Sequence, residues 1–317
     1  MTFQKLALAV AAAALAAPAL AQVTVYGRVD LSLAQQADAV KNKEIRNGSG
    51  SRLGFRGVED LGGGLSAVFQ MEHRFNANAG TAGARFWEGK SVVGLQGSFG
   101  RVLLGREENP AYTFSQTVAD PWGTDTVAGN GSIINGRIGT TRYSNTINYR
   151  HSFGGFGFGA QFGEATGAGN TPNGGSPDDR VLNLGASYKA GPLVVGLGYE
   201  DPADKDDHWF TINAGYDLGV AKLSALIGNG RNVNDQKHES YLLAAAAPVG
   251  GGQFRVSYGQ LKNKTTGVKL DKQFGLGYHY ALSKRTTVYA DIVNERRDNM
   301  PADREKTGYD VGIKHNF

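Results

Sequence analysis

Six histidines, His73, His151, His208, His238, His279 and His315, are the side chains of this sequence best suited to proton transfer or metal binding near neutral pH. None stands at the spacing of a metal pair or in a pattern that points to a nucleophilic triad. Cysteine is absent, which removes thiol nucleophiles, cysteine-ligated metals and disulfide frameworks together. Glycine is abundant, yet no glycine-rich run follows a strand pattern and opens a helical one, as a phosphate-binding loop would. What remains is fixed charge. The stretch 107–137 carries Glu107, Glu108, Asp120 and Asp125, ends on Arg137, and is bordered by Arg106 and Arg142. Guanidinium groups facing carboxylates across a narrow passage set up a transverse field that aligns polar solutes and decides ion preference. Arginine suits that task because it keeps its charge near neutral pH and its plane stacks closely on another.

The stretch 107–137 shows neither a period of two nor a helical stripe, and it holds Pro110 and Pro121 together with Tyr112, Phe114 and Trp122. A connection this long inside a compact domain is functional more often than incidental. The segments around it alternate. Val23, Val25, Gly27, Val29, Leu31 and Leu33 interleave with Thr24, Tyr26, Arg28, Asp30 and Ser32. The same pattern recurs at Phe210, Ile212, Ala214 and Tyr216, and at Phe274, Leu276, Tyr278 and Tyr280. Strict alternation gives each strand one apolar and one polar face.

Connection lengths also alternate. Tight turns at 59–63, 98–100, 154–155, 191–192, 218–219, 250–252 and 283–284 trade with long polar loops at 36–44, 76–84, 107–137, 167–179, 201–207, 230–237, 263–269 and 297–305. This order predicts an all-β fold: a 16-stranded antiparallel up-and-down transmembrane β-barrel, with aromatic residues gathered near strand ends as interfacial girdles. Hydrocarbon offers no partner to a backbone N–H or C=O, so β-structure there must close on itself. Sixteen strands enclose water rather than a packed core. Apolar side chains then face lipid and charged ones face the lumen, which explains a mean hydropathy below zero in a membrane protein. The third long loop, 107–137, is expected to fold into that lumen and narrow it.

Residues 1–21 read as a cleaved secretory signal peptide: Lys5 supplies the positive end, an alanine-rich apolar run follows, and Ala19-Leu20-Ala21 is a small-x-small cleavage site. The barrel domain is then 22–317, exported to the outer membrane of a Gram-negative cell. Formal charge is +4, too small and too evenly spread for nucleic acid binding. No cofactor or metal site is expected.

The segments VTVYGRVD from Val23 to Asp30 and SRLGFRGVEDLG from Ser51 to Gly62 resemble those of general porins of the neisserial and burkholderial type. So do Val93-Gly-Leu95, Gly105-Arg106, the run from Leu282 to Thr286 and the terminal Phe317, in order along the whole mature chain. The resemblance implies a homotrimer in outer-membrane lipid and lipopolysaccharide, each barrel passing small hydrophilic solutes and ions. It implies a wall of arginines opposite acids on the third loop. Carried over by position, the wall residues are Arg52, Arg106 and Arg137; Arg28, Arg74 and Arg142 join them by strand parity, and Lys90 falls near a position where an arginine is implied. The loop acids nominated are Asp120 and Asp125, then Glu107 and Glu108. With arginines in excess, mild anion preference is expected. A channel dedicated to small anions such as dicarboxylates or phosphate is the alternative; an outer-membrane hydrolase and a plugged structural barrel are weaker rivals.

Overall fold

The computed structural model describes residues 22–164, 180–202 and 207–317. The expected signal peptide, the long connection 167–179 and part of the connection 201–207 lie outside the described residues. Backbone pairing joins eighteen strands in one antiparallel sheet. The first half comprises β1 (Gln22–Gln35), β2 (Glu44–Asn47), β3 (Arg52–Gly62), β4 (Leu65–Asn76), β5 (Thr81–Ala82), β6 (Lys90–Gly97), β7 (Gly100–Glu108), β8 (Arg142–Phe153) and β9 (Phe156–Glu164). The second comprises β10 (Arg180–Ala190), β11 (Leu193–Pro202), β12 (His208–Asp217), β13 (Lys222–Arg231), β14 (Lys237–Val249), β15 (Gly252–Asn263), β16 (Lys269–Ala281), β17 (Thr286–Arg296) and β18 (Thr307–Asn316). Two of these, β2 and β5, are short additions at the long connections. The other sixteen are the expected staves, each beside its chain neighbour.

The sheet closes where β1 meets β18, from Arg28 opposite Asn316 to Gln35 opposite Tyr309. The last residue seals the seam: Phe317 N donates to Gly27 O at 3.1 Å and Gly27 N returns the bond to Phe317 O at 3.0 Å. Among the described residues each of the sixteen staves is paired on both sides, as hydrocarbon requires. Burial follows the pleat and runs inside out. On β8, Ile147 is 53% exposed while its neighbours Thr146 and Asn148 are 3% and 1% exposed. At the short-turn end, Gly154 and Gly155 both adopt positive φ, the backbone a two-residue hairpin needs to match strand twist. Aromatic side chains gather there: the Phe156 and Tyr188 rings lie 4.3 Å apart, and Tyr149 and Tyr278 donate hydroxyl hydrogen bonds to backbone oxygens of Phe99 and Val249.

Residues 109–141 are not irregular throughout. They contain helical turns at Tyr112–Gln116, Thr117–Ala119 and Gly131–Asn135. None exceeds five residues, so no helical stripe is long enough to stand out in the sequence. This segment brings a packed core of its own. Ala119, Ile133, Ile134 and Ile138 pack with Trp209, Leu226, Leu242 and Leu261, and the last four come from the strand faces opposite the exposed apolar rows. No helix among the described residues is long and apolar enough to cross a membrane; the strands do the crossing.

Candidate functional site

Three anchors fix the segment 109–141. The first is Glu200 on β11, fully buried. Its carboxylate accepts from Asn109 Nδ2 at 3.0 Å, from Thr140 N at 3.1 Å, from Gln116 Nε2 and from Tyr143 Oη. Both ends of the segment are thereby tied to one group. The second is Asp120, whose two oxygens accept from Trp122 N, Thr124 N, Asn130 N and Asn130 Nδ2 at 2.8–3.1 Å. Burial pushes this carboxyl above the usual range, against the pull of those donors from Asn130, Thr124 and Trp122. The third is Trp122, whose indole N–H donates to Asp291 Oδ1 on β17 at 2.7 Å. Beyond it, Thr126 N donates to Gly48 O and Val127 N to Asp310 Oδ2 on β18. Wall glycines make room for the passage. A Cβ on Gly185 would stand 2.2 Å from Pro110 O, and one on Gly196 would stand 2.3 Å from Phe114 O.

Across the barrel from β11, the wall is charged. Arg28 on β1 stands directly opposite Arg52 on β3, and Arg52 opposite Arg74 on β4. Like charges on adjacent strands repel, so each guanidinium is held by partners of its own. Arg28 donates to Asn316 Oδ1 at 2.9 Å and Ser49 Oγ at 3.1 Å. Arg52 donates to Gly50 O at 3.0 Å and Ser49 O at 2.8 Å. Arg74 pairs with Glu72 at 2.8 Å. The row continues through Lys90, 2.7 Å from Glu107 Oε1 and 3.4 Å from Glu108 Oε2, to Arg142, 2.5 Å from Glu108 Oε1. From the segment, Asp125 reaches Arg28 at 3.5 Å.

The expected site residues therefore separate. Arg28, Arg52, Arg74, Arg142, Glu107, Glu108 and Asp125 gather in one band. Asp120 does not face it; its oxygens are taken by the turn 120–130. Arg137 leaves the band too: with φ of 57° it falls in the field of the charged cluster of Arg297, Asp271, Glu295 and Asp38. Burial first, and repulsion from Arg297 second, lower its pKa. Arg106 alternates with exposed Leu104, whereas Leu103 and Glu107 are buried. It sits on the outer row, donating to Glu88 O at 2.8 Å and Ser144 Oγ at 3.0 Å. Sequence reading missed Glu200 and Asp291, acids on strands whose partners come from remote sequence. The signal for the internal core was present: Leu226 and Leu242 break the alternation beside Ile227 and Leu243. Among the described residues, no cluster of histidine and acidic side chains is arranged to hold a metal ion.

The sequence matches the family model described as Gram-negative porin over residues 7–300. It is 35% identical to outer membrane porin protein 32 of Delftia acidovorans, an alignment covering 98% of this chain and 99% of that protein. It is 26% identical to the major outer membrane protein P.IB of Neisseria meningitidis, covering 99% and 100%. The solved structure of an anion-selective porin from Comamonas acidovorans superimposes with a TM-score of 0.80 at 30% identity, covering 94% of this chain and all of that one. The trimer form of OmpT from Vibrio cholerae shares the fold, with a TM-score of 0.74 at 15% identity over 94% and 99% of the two chains. The resemblance read from the strand motifs is borne out. With its closed antiparallel barrel and its match along nearly the whole length, the chain belongs to the Gram-negative porin family, the diffusion channels of the outer membrane.

Proposed function

We propose that the barrel is a general diffusion channel with mild anion preference, narrowed from within by residues 109–141. The observation that carries the preference is the unequal exposure of paired charges. The side chains of Arg28, Arg52, Arg74, Lys90 and Arg142 are 17–23% exposed, whereas Glu72 and Glu107 are 5% and 3% exposed. Those carboxylates support the cations from behind, and water in the passage meets the guanidinium side. Glu108 and Asp125 are half-buried, at 23% and 35%, and each is met by a cation. An anion entering the band trades hydration for the field of several fixed positive charges. The relative from Comamonas carries the description anion-selective, which supports the same reading. Reversal potentials in a potassium chloride gradient test it: chloride permeability above potassium permeability is expected, and cation preference overturns it.

The narrowing is supported by the contacts of 109–141 with inward rows on β11, β12, β17 and β18, which span the barrel. Deletion of 111–138, closed by a short glycine linker, is expected to raise single-channel conductance. We further infer a homotrimer, as in the trimer form of OmpT, and removal of residues 1–21 on export. Conductance steps in groups of three, and a mature mass beginning at Gln22, are the corresponding observations.

A further inference from the structure

We propose that the inner wall at the short-turn end of β10–β15, beneath the segment 109–141, holds a pocket for an organic monocarboxylate with an aromatic or branched apolar tail. The inference rests on the diffusion-channel reading above and adds a subsite separate from the arginine row. A cavity of ≈ 690 Å³ opens there, a size ordinary for small-molecule sites. Its roof is the segment itself, through Val118 and Pro121. Val118 is 38% exposed, although Gln116 and Ala119 near it are 1% and 0% exposed. Ser224 Oγ donates to Ala119 O at 2.8 Å and pins the roof to β13.

Register sets the wall. Lys189 on β10 stands opposite Val194 on β11, Val194 opposite Gly215 on β12, and Gly215 opposite Ser224 on β13. All four belong to inward rows, out of phase with the exposed Tyr188, Val195, Tyr216 and Leu223. Gly215 is the hollow in this row. A Cβ there would meet nothing nearer than Leu223 O at 3.6 Å, with Val118 Cγ1 at 4.0 Å. At Gly185 and Gly196 the segment's backbone fills the equivalent space; at Gly215 it leaves that space open. Val118, Pro121, Val194 and Ala246 therefore form an apolar lining inside a water-filled lumen. A hydrocarbon tail leaves water favourably on such a surface, and a fully polar solute does not.

Charge around the lining selects the head group. Two ammonium groups, Lys189 and Lys222, and one carboxylate, Asp217, border the cavity. Lys222 Nζ lies 3.6 Å from Asp217 Oδ2, so those two charges offset each other. Among the described residues Lys189 forms no ion pair. Gln253 Oε1 accepts from Arg255 Nε at 2.8 Å, and the Gln253 NH2 has no partner among the described residues. One unpaired ammonium and one amide donor suit a single carboxylate. A dianion would leave its second charge against apolar walls, at a desolvation cost that nothing there offsets.

The test adds phenylbutyrate, acetate or phenylbutanol to planar bilayers holding the refolded full barrel in potassium chloride. Saturable interruption of the ion current by phenylbutyrate is expected, with acetate and phenylbutanol each weaker by about tenfold or more. In Lys189→Gln the half-blocking concentration should rise about threefold, as for loss of one solvent-exposed charge pair. In Gly215→Val, whose side chain occupies the hollow, it should rise about tenfold, the equivalent of roughly two buried methylenes. Both variants should carry current without probe as the parent does. Equal block by acetate or by phenylbutanol would overturn the proposal. So would a half-blocking concentration that shifts in Arg52→Ser but in neither pocket variant, since the probe would then sit at the arginine row. Normal channels that phenylbutyrate does not interrupt sink this inference alone; absence of channels sinks the functional reading beneath it.

Discussion

The inner wall has two sectors that treat water in opposite ways. Over β10–β15, at the level of the segment 109–141, it is closed to water: Gly185 and Gly196 admit the segment's backbone, Glu200 is buried against it, and Trp209, Leu226, Leu242 and Leu261 close over it. Over β1–β6 it carries Arg28, Arg52, Arg74 and Lys90, each left partly exposed. The dry sector holds a position and the wet sector holds a charge. A passage with a defined field needs both, because a loop that drifts cannot keep Asp125 near Arg28. The dry sector behaves like the core of a soluble domain, built inside a structure whose alternation otherwise faces apolar groups outward.

The largest effects should come from breaking the dry sector. Trp209 is fully buried and donates its indole N–H to Ile134 O at 2.8 Å. Truncating a buried tryptophan costs about 3–5 kcal/mol. Trp209→Ala is therefore expected to lower the unfolding midpoint of the detergent-solubilised barrel and to raise conductance noise as the segment loosens. A midpoint and noise level equal to the parent's would mean that the segment is not held by this core. Gly196→Val comes next, since its Cβ must displace the Phe114 carbonyl. Overpacking of this kind costs about 1–3 kcal/mol, and because the strand itself pairs normally, the segment should shift while the barrel persists. Faster protease cleavage near Phe114, with unchanged heat-resistant folding, is the expected pattern.

A similar loss is expected at the clamp between the sectors. Replacing Glu200 by alanine leaves buried donors of Asn109, Gln116 and Thr140 without their acceptor, at a cost of about 1–3 kcal/mol. Lower threshold voltage for channel closure would report it. Full rescue by glutamine is not expected, since its amide offers one acceptor oxygen where the carboxylate serves three N–H donors with two.

How far these sectors could be seen in the sequence differs for physical reasons. The barrel was legible because alternation is a local property, repeated in every stave and punctuated by turns. The row of Arg28, Arg52 and Arg74 was legible by parity, and register then aligned them. Arg106 was misplaced because positional likeness was weighed above its alternation with Leu104, which already put it outside. Arg137 and Asp120 could not be placed from sequence. Their orientation depends on a left-handed residue after a short helix and on a turn closed by Asn130, both set by packing against remote strands. Glu200 was invisible for the same reason: its partners lie 57–91 residues away.

The wet sector should answer to charge with smaller changes. Arg52→Ser removes the middle of the row while leaving the β3 backbone paired. At 4 Å in bulk water, one charge is worth about 1 kcal/mol. The chloride-to-potassium permeability ratio should accordingly fall by a factor of roughly two to five. An unchanged ratio would move the selectivity away from the row.

Asp125 gives the finest test, because it is the acid that the dry sector presents to the wet one. Burial holds its carboxyl above the ordinary range, while Arg28, Arg52 and Lys314 pull it down. As pH falls through that raised pKa the segment loses a negative charge, and the arginines keep theirs. Anion preference should therefore grow on acidification from neutral pH, by less than a factor of about two, since one partly screened charge is removed. Asp125→Asn should show the acidic value at every pH and flatten that part of the profile. If acidification raises the ratio equally in the parent and in Asp125→Asn, the titrating group lies elsewhere in the passage, and the segment sets only its width.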